Sequence, residues 1–163
     1  MNAIQLGHAW TYGDNINTDI ISPPAFMELP IAEAACHAMA PVDPDFGTRV
    51  RGGDLLVAGH NLGSGSSRET APLTLKALGI GAVIARSYAR IFYRNCINIG
   101  LLALECPDAD KIGRGDELEI DLDRSVIYNR ARAEEYAISP IPEHILDLIR
   151  AGGLIPYLEQ TRL

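Results

Sequence analysis

Hydrophobic and polar positions follow two different periods along the first two thirds of the chain. Continuous apolar runs predict buried strands at Leu55–Ala58, at Ala82–Ala85 and at 101–104. Between these runs, apolar residues recur at three- and four-residue spacing, which predicts one helix that has Arg68 in its first turn and ends before Gly79, and another over 87–95. An order of strand, helix, strand, helix and strand favours parallel pairing with right-handed crossovers. The pattern therefore predicts an α/β fold.

The last third has a different pattern. Residues 117–122 alternate strictly between polar and apolar side chains, which predicts a strand with one exposed face. An amphipathic pattern after Pro142 predicts a helix that Gly152 and Gly153 stop. The remaining predictions are strands at 3–10, 126–128 and 133–138, a short helix at 31–39 and a helical turn at 154–158.

Two details of the predicted helices can be checked directly. Ser87 is the predicted N-cap of the second helix, because serine side chains accept hydrogen bonds from the first helical N–H groups. Ile91 and Phe92 of that helix are predicted to face the core. Gly79 is the predicted C′ residue of the first helix, where a positive φ favours glycine.

Composition narrows the class of protein without identifying it. A chain of 163 residues with 47% hydrophobic and 21% charged residues predicts one domain, residues 1–163, with a sizeable core. A net charge of −7 disfavours nucleic acid and anionic membranes as partners. No apolar run approaches the roughly 20 residues of a membrane span, and no signal-peptide pattern begins the chain. We expect a cytoplasmic protein.

Cysteine and histidine are placed without a metal-binding pattern. Three cysteines, Cys36, Cys96 and Cys106, are widely spaced, which disfavours a disulfide framework and a zinc site. The four histidines show no ligand spacing either. The sequence therefore predicts no metal on this chain.

A glycine-rich turn carries the strongest chemical signal. The residues GSGSSRE, 63–69, stand between the predicted strand at Leu55–Ala58 and the following helix. Glycines let a backbone approach a ligand, and the free N–H groups at a helix N-terminus attract anions. Arg68 adds a planar group that can bind a carboxylate with two hydrogen bonds. Ser66 and Ser67 place hydroxyl groups beside it, so the turn predicts a carboxylate site with a candidate acid or base.

A purely structural alternative uses the same residues. Ser66-x-x-Glu69 fits a capping box, in which serine and glutamate satisfy the first N–H groups of a helix. Other glycine-loop functions fit less well, since the turn lacks the lysine of a nucleotide-binding loop and the third glycine of a dinucleotide fingerprint. Capping and anion binding stay open at this point.

The stretch YGDNINTDIISPP, 12–24, is the second candidate segment. Asp19 lies there in a polar loop beside the apolar pair Ile20 and Ile21, and an Asx-turn would explain it without any function. The apolar loop AFMELP, 25–30, follows.

Three motifs in this order, GDNINTDIISP, AGHNLGSGSSRE and ALGIGAVIARSYARIFYRNCINIGLLALE, resemble the small subunits of 3-isopropylmalate dehydratases. These are the detached swivelling domains of the aconitase superfamily. The resemblance is dense from about Trp10 to Glu105. It implies a three-layer swivelling β/β/α fold and a hydro-lyase that moves a hydroxyl group by dehydration and rehydration, in leucine biosynthesis.

The resemblance also implies a division of labour. A large subunit is expected to carry a 4Fe–4S cluster on three cysteines, so that this chain needs no cofactor of its own. Ser66 is implied as the base, Ser67 as a substrate contact and Arg68 as the carboxylate ligand, with Thr18 and Asp19 bordering the site. The expected assembly is a heterodimer or heterotetramer that acts on a small dicarboxylate. A homo-oligomer is an alternative state for the isolated chain.

Two departures from the family pattern bear on the substrate. Residue 70 is Thr, where many members have His. The loop that is held to select the side group contains Phe26 and Met27 and no basic residue, which favours an alkyl group over a third carboxylate. Isopropylmalate is the favoured substrate. A methylmalate, dimethylmalate or homoaconitate enzyme and a non-catalytic anion-binding module remain the alternatives.

Overall fold

The structure, a computed structural model, describes residues 4–66 and 68–161. Its strands form a seven-stranded sheet in the order β4-β3-β2-β1-β5-β6-β7. The strands are β1 (Ile4–Thr11), β2 (Leu55–Ala58), β3 (Ala82–Ala85), β4 (Ala103–Glu105), β5 (Glu117–Asp121), β6 (Val126–Asn129) and β7 (Glu134–Ala137).

Helices occupy the connections in the first half and the end of the chain. They are α1 (Thr18–Ile21), α2 (Ile31–Ala34), α3 (Phe46–Arg49), α4 (Thr70–Ala77), α5 (Arg90–Asn98), α6 (Glu143–Ala151) and α7 (Leu154–Thr161). Short 3₁₀ turns lie at Pro24–Phe26, Ala35–His37 and Ala109–Lys111. Helix α4 packs against α1, α2 and α5, and α5 also packs against α6 and α7.

Strand β1 joins the parallel half of the sheet to its antiparallel half. Its first residues pair antiparallel with β5, from Ile4 opposite Asp121 to His8 opposite Glu117. Its last residues, from Ala9 onward, pair parallel with β2. Strands β2, β3 and β4 continue in parallel, whereas β5, β6 and β7 form an antiparallel meander. The chain is therefore α/β with a mixed sheet, as the sequence predicts.

Burial follows the predicted periods. All residues of β2 and β3 are buried, as expected for strands covered on both faces, and β5 alternates between buried and partly exposed residues. The core between sheet and helices contains large, fully buried side chains, among them Phe46, Met39, Leu75, Ile84 and Leu104.

Two details of α5 differ from the prediction. The helix begins at Arg90, three residues after Ser87, and the Ser87 hydroxyl instead accepts a hydrogen bond from the backbone of Asn61 at 2.8 Å. Phe92 is buried as predicted, but Ile91 is 52% exposed. The short spacing pattern did not distinguish the two sides of the helix, because both residues are apolar.

The carboxyl ends of the parallel strands position the candidate site. Segments 12–17, 59–69 and 86–89 leave β1, β2 and β3 at the same edge of the sheet. Backbone hydrogen bonds join them, from Asn15 N to His60 O at 2.8 Å and from Leu62 N to Ser87 O at 3.1 Å. Ligands of open α/β sheets bind at this edge.

Candidate active site

The glycine-rich turn is fixed by backbone bonds to the segment before α1. Gly63 N donates to Ile16 O at 2.7 Å, and Thr18 N donates to Ser64 O at 2.9 Å. These two bonds connect residues that are more than forty positions apart in the sequence. The predicted motifs 12–24 and 63–69 therefore form one site.

Glycine is required at two positions of this turn. Gly63 has a φ of +85°, and a Cβ there would overlap the ring of Phe92, which packs beneath the turn. Gly65 has a φ of +104°, and a Cβ there would lie 3.3 Å from Thr18 Oγ1. Positive φ and close approach both favour glycine, so the two residues shape the turn.

Helix α1 and its N-cap bring Asn17, Thr18 and Asp19 to the turn. Asn17 is its N-cap, and Asn17 Oδ1 accepts from Ile20 N at 2.9 Å. Thr18 is buried, and its Oγ1 accepts a hydrogen bond from Ser66 N at 3.1 Å. Asp19, the next residue, has a side chain that is 61% exposed. The short helix thus turns one side chain into the protein and its neighbour toward solvent.

Arg68 connects three other residues of the site. Its Nε donates to Ser66 Oγ at 3.0 Å, and its Nη2 donates to Asp19 Oδ1 at 2.7 Å. Its Nη1 contacts the sulfur of Met27. The guanidinium is mostly covered, with 24% of the side chain exposed. Thr18, Asp19, Ser66 and Arg68 are therefore brought together.

The capping-box alternative is wrong. Helix α4 begins at Thr70 with Glu69 as its N-cap, and no side chain makes a capping hydrogen bond. The Ser66 hydroxyl instead accepts from Arg68, from the backbone N at 3.3 Å as well as from Nε. Arg68 also precedes the helix rather than lying in its first turn. The helix begins three residues later than a capping box on Ser66 requires.

The predicted selectivity loop lies beside this cluster. Phe26 stacks on His37, with ring centroids 3.7 Å apart and planes at 6°. Met27 is the loop residue that reaches Arg68. Ser67, the predicted substrate contact, lies outside the described residues. Sequence reasoning missed Asn17, although an asparagine just before the apolar pair at 20–21 is a recognisable capping signal.

The cysteines of this chain do not suit an iron–sulfur cluster. Cys36 is exposed, whereas Cys96 and Cys106 are buried. Burial raises the pKa of the Cys96 thiol well above its ordinary value and raises that of Cys106 to about 11. Thiolates bind iron, and burial disfavours them here. Over residues 4–66 and 68–161, no group of three or more His, Cys, Asp or Glu residues is arranged to hold a metal ion.

Among the residues that the structure describes, no helix has the length and apolar character needed to cross a bilayer.

Comparisons with known proteins agree with one another. Residues 31–109 match the model of the aconitase C-terminal domain. A 3-isopropylmalate dehydratase small subunit from Archaeoglobus fulgidus is 49% identical, with 96% of this chain and 98% of that protein covered. A 2,3-dimethylmalate dehydratase small subunit from Eubacterium barkeri is 48% identical, with 95% of this chain and 96% of that protein covered.

A solved structure supports the same assignment. The crystal structure of a 3-isopropylmalate dehydratase from Methanocaldococcus jannaschii superposes with a TM-score of 0.92 at 41% identity, over 96% of this chain and 94% of that one. Such identity over nearly the whole of both chains leaves no large insertion or missing element to explain. The chain belongs to the 3-isopropylmalate dehydratase small-subunit family of the aconitase superfamily.

Proposed function

We propose that this chain is the small subunit of a heteromeric hydro-lyase that isomerises 2-isopropylmalate to 3-isopropylmalate by dehydration and rehydration, a step of leucine biosynthesis. Relatives named 3-isopropylmalate dehydratase small subunit align with nearly the full length of this chain. The observation that supports the chemistry is the bond from Arg68 Nε to Ser66 Oγ at 3.0 Å, in an exposed turn at the carboxyl edge of the sheet.

Ser66 is the proposed base. Serine abstracts a proton as its alkoxide, formed after the hydroxyl has lost its own proton, and a neighbouring positive charge favours that ionised form. Arg68 donates to Ser66 Oγ from its backbone N and from its guanidinium Nε, and the Nε bond holds the positive charge against the oxygen. Thr18 holds the backbone of Ser66 in place through its Oγ1. Thr18 is thus proposed to position the base, since its buried side chain contacts the turn.

Arg68 is the proposed carboxylate ligand. Its Nη2 already binds a carboxylate, that of Asp19, at 2.7 Å. An exposed ion pair of this kind contributes only about 0 to 1 kcal/mol, so a substrate carboxylate can compete for the same nitrogen at little cost. The proton to be removed lies next to a carboxylate, which gathers negative charge as the proton leaves. Arg68 is placed to stabilise that charge, with Asp19 and Ser67 proposed as neighbours of the bound substrate.

A partner subunit is required by this proposal. We expect a large subunit that holds a 4Fe–4S cluster, because the cysteines of this chain do not suit one. A heterodimer or heterotetramer in the cytoplasm is the expected assembly. The exposed side of the Ser66–Arg68 cluster is the side that such a partner would cover, leaving the substrate between the two chains.

The side group of the substrate is proposed to be alkyl. Met27 contacts Arg68, Phe26 precedes it in the same loop, and segment 25–30 contains no lysine or arginine. A third carboxylate would be buried there without a partner, which is costly. A 2,3-dimethylmalate hydro-lyase is the second candidate, because a relative of that name is 48% identical.

The test is to isolate the complete enzyme. The tagged chain is purified under anaerobic conditions from its source organism, and the co-purifying large subunit is identified. Specificity constants are then measured with 2-isopropylmalate, 2,3-dimethylmalate and homoaconitate. We expect 2-isopropylmalate to rank first and homoaconitate last. A higher rank for 2,3-dimethylmalate would select the second candidate, and a complex without hydro-lyase activity would contradict both.

A further inference from the structure

A second cavity lies away from the glycine-rich turn, with a volume of about 340 Å³. We call it the arginine recess, and it is lined by His8, Ala9, Trp10, Arg49, Arg51, Asp54, Arg114 and Gly115. Asp54 immediately precedes β2, whereas the glycine-rich turn follows the same strand. The length of that strand, at about 3.3 Å per residue, therefore separates the recess from the glycine-rich turn. The recess is large enough for a small organic molecule.

The charge of the recess opposes that of the whole chain. Arg49 and Arg51 are exposed, and neither guanidinium has a hydrogen bond or ion pair within residues 4–66 and 68–161. The lining contains one carboxylate, Asp54, which is 8% exposed and accepts hydrogen bonds from Trp10 Nε1 at 3.0 Å and Arg51 N at 2.9 Å. Two positive charges without a paired carboxylate, those of Arg49 and Arg51, therefore line the recess of a chain whose net charge is −7.

The Trp10 indole forms an apolar wall of the recess, and its neighbours hold it in place. The Arg114 guanidinium lies 5.2 Å from the centroid of the Trp10 ring, and it binds Asp43 at 3.0 Å and Thr11 O at 2.9 Å. Trp10 also packs edge-on against Phe46, with centroids 5.5 Å apart. The indole is therefore held on three sides, by Arg114, by Phe46 and by its bond to Asp54. Such a wall contacts an apolar ligand without further ordering of its own side chains.

We propose that the arginine recess binds a small organic anion. A carboxylate or phosphate group of the ligand is held by Arg49 and Arg51, whose forked donors match both groups. The apolar part of the ligand packs against Trp10 and Ala9. This site is separate from the Ser66–Arg68 cluster and does not depend on the proposed function of that cluster.

The test uses the fluorescence of Trp10, which is the single tryptophan of the chain. The full chain is titrated at constant ionic strength with benzoate and with phenyl phosphate, which distinguish a carboxylate from a phosphate ligand. Benzamide is the uncharged probe of matched shape. We expect a saturable change with at least one of the two anions, at a dissociation constant of about 1 mM or tighter, and none with benzamide. No saturable change, or an equal change with benzamide, would overturn the proposal.

Variants assign the response to the recess. The double variant Arg49→Gln/Arg51→Gln is expected to weaken anion binding at least about tenfold, because both charged hydrogen-bond donors are removed. Arg124→Gln, in the β5–β6 turn at the far end of the meander, makes a similar change of charge and should leave binding unchanged. Arg68→Gln should also leave it unchanged. Circular dichroism checks that each variant is folded, and binding that survives in the folded double variant would contradict the proposal.

Discussion

Among the arginine–aspartate pairs of the described residues, Arg68–Asp19 at 2.7 Å and Arg132–Asp116 at 2.8 Å are the shortest. They differ in the surroundings of the carboxylate. The Asp19 side chain is 61% exposed and that of Asp116 is 12% exposed. Asp116 Oδ2 also accepts hydrogen bonds from Gly113 N at 2.8 Å and Asn129 Nδ2 at 2.9 Å. The length of an ion pair is therefore a poor guide to its role.

The pKa of Asp116 reflects its additional partners. Burial raises the pKa of this carboxyl, but hydrogen bonds from Asn129, Arg132 and Gly113 outweigh burial and leave the pKa below its ordinary value. Its bonds join the start of β5 to the end of β6 and the turn that follows β6. Asp116 thus stabilises the antiparallel meander, whereas Asp19 is mostly exposed and accepts one bond from a guanidinium that also contacts Ser66. We therefore expect the Arg132–Asp116 pair to persist and the Arg68–Asp19 pair to exchange its carboxylate for that of the substrate.

The largest expected effect comes from two serine variants in the glycine-rich turn, which distinguish a loss of turnover from a loss of stability. Ser66→Ala in the assembled enzyme removes the proposed base and should lower turnover by about 10² to 10⁴. Ser64→Ala deletes the same atom two residues earlier, where the contact to Thr18 is made by the backbone carbonyl, and it should keep near-normal turnover. Rate and melting measurements on the two variants decide the matter. Equal rates for both would refute Ser66 as the base.

A stability effect of intermediate size is expected at the other pair. Asp116→Asn removes the charge from a mostly covered carboxylate with several hydrogen bonds and should cost about 1 to 3 kcal/mol of unfolding free energy at pH 7. Asp19→Asn should cost about 0 to 1 kcal/mol, as for other exposed pairs. Urea unfolding of the isolated chain measures both, and a larger loss from Asp19→Asn would reverse the comparison.

The same variant predicts a pH dependence. The folded-state pKa of Asp116 lies below its ordinary value of 3.8, so its stabilisation is present above that pH and is lost as the pH falls through the folded value. The difference in stability between the parent and Asp116→Asn should therefore be constant near neutrality and shrink below about pH 4. A difference that stays constant in acid would show that the charge of Asp116 does not stabilise the meander.

The smallest expected effect concerns substrate selection beside Arg68. Met27→Ala removes apolar contact from the loop, and a buried methylene contributes about 0.8 kcal/mol, or about fourfold in a specificity constant. The preference for isopropylmalate over methylmalate should fall by about that factor. Leu29→Ala shortens another exposed apolar side chain of the same loop and serves as the control. An unchanged preference in Met27→Ala would remove this loop from the substrate site.

Most strands and helices were predictable because each follows from the local spacing of hydrophobic residues in the sequence. The buried runs became β2 and β3, strict alternation became β5, and Gly79 ends α4 with a φ of +80°. The exception inside the helices was Ile91, since an apolar residue gives no sign of which face a neighbouring subunit or solvent will cover. Cofactor and partner predictions depended on family resemblance, because no local pattern encodes a second chain.

The site was predictable as a set of residues but not as an arrangement. GSGSSRE by itself fitted a helix cap equally well, because the same serine and glutamate spacing serves both purposes. Helix α4 begins at Thr70, after a turn that is held by tertiary contacts, in which Thr18 binds Ser66 N and Asp19 binds Arg68 Nη2. Those contacts join segments that are about fifty residues apart, and no local pattern specifies them.

The most direct test of the comparison exchanges the two arginines for glutamine in separate variants of the assembled enzyme. Arg68→Gln should lower the specificity constant at least about tenfold, through the loss of charged hydrogen bonds to the substrate, with little change in melting temperature. Arg132→Gln should lower the melting temperature and leave the specificity constant near that of the parent. The account is contradicted if Arg68→Gln unfolds the protein at full activity, or if Arg132→Gln loses activity without loss of stability.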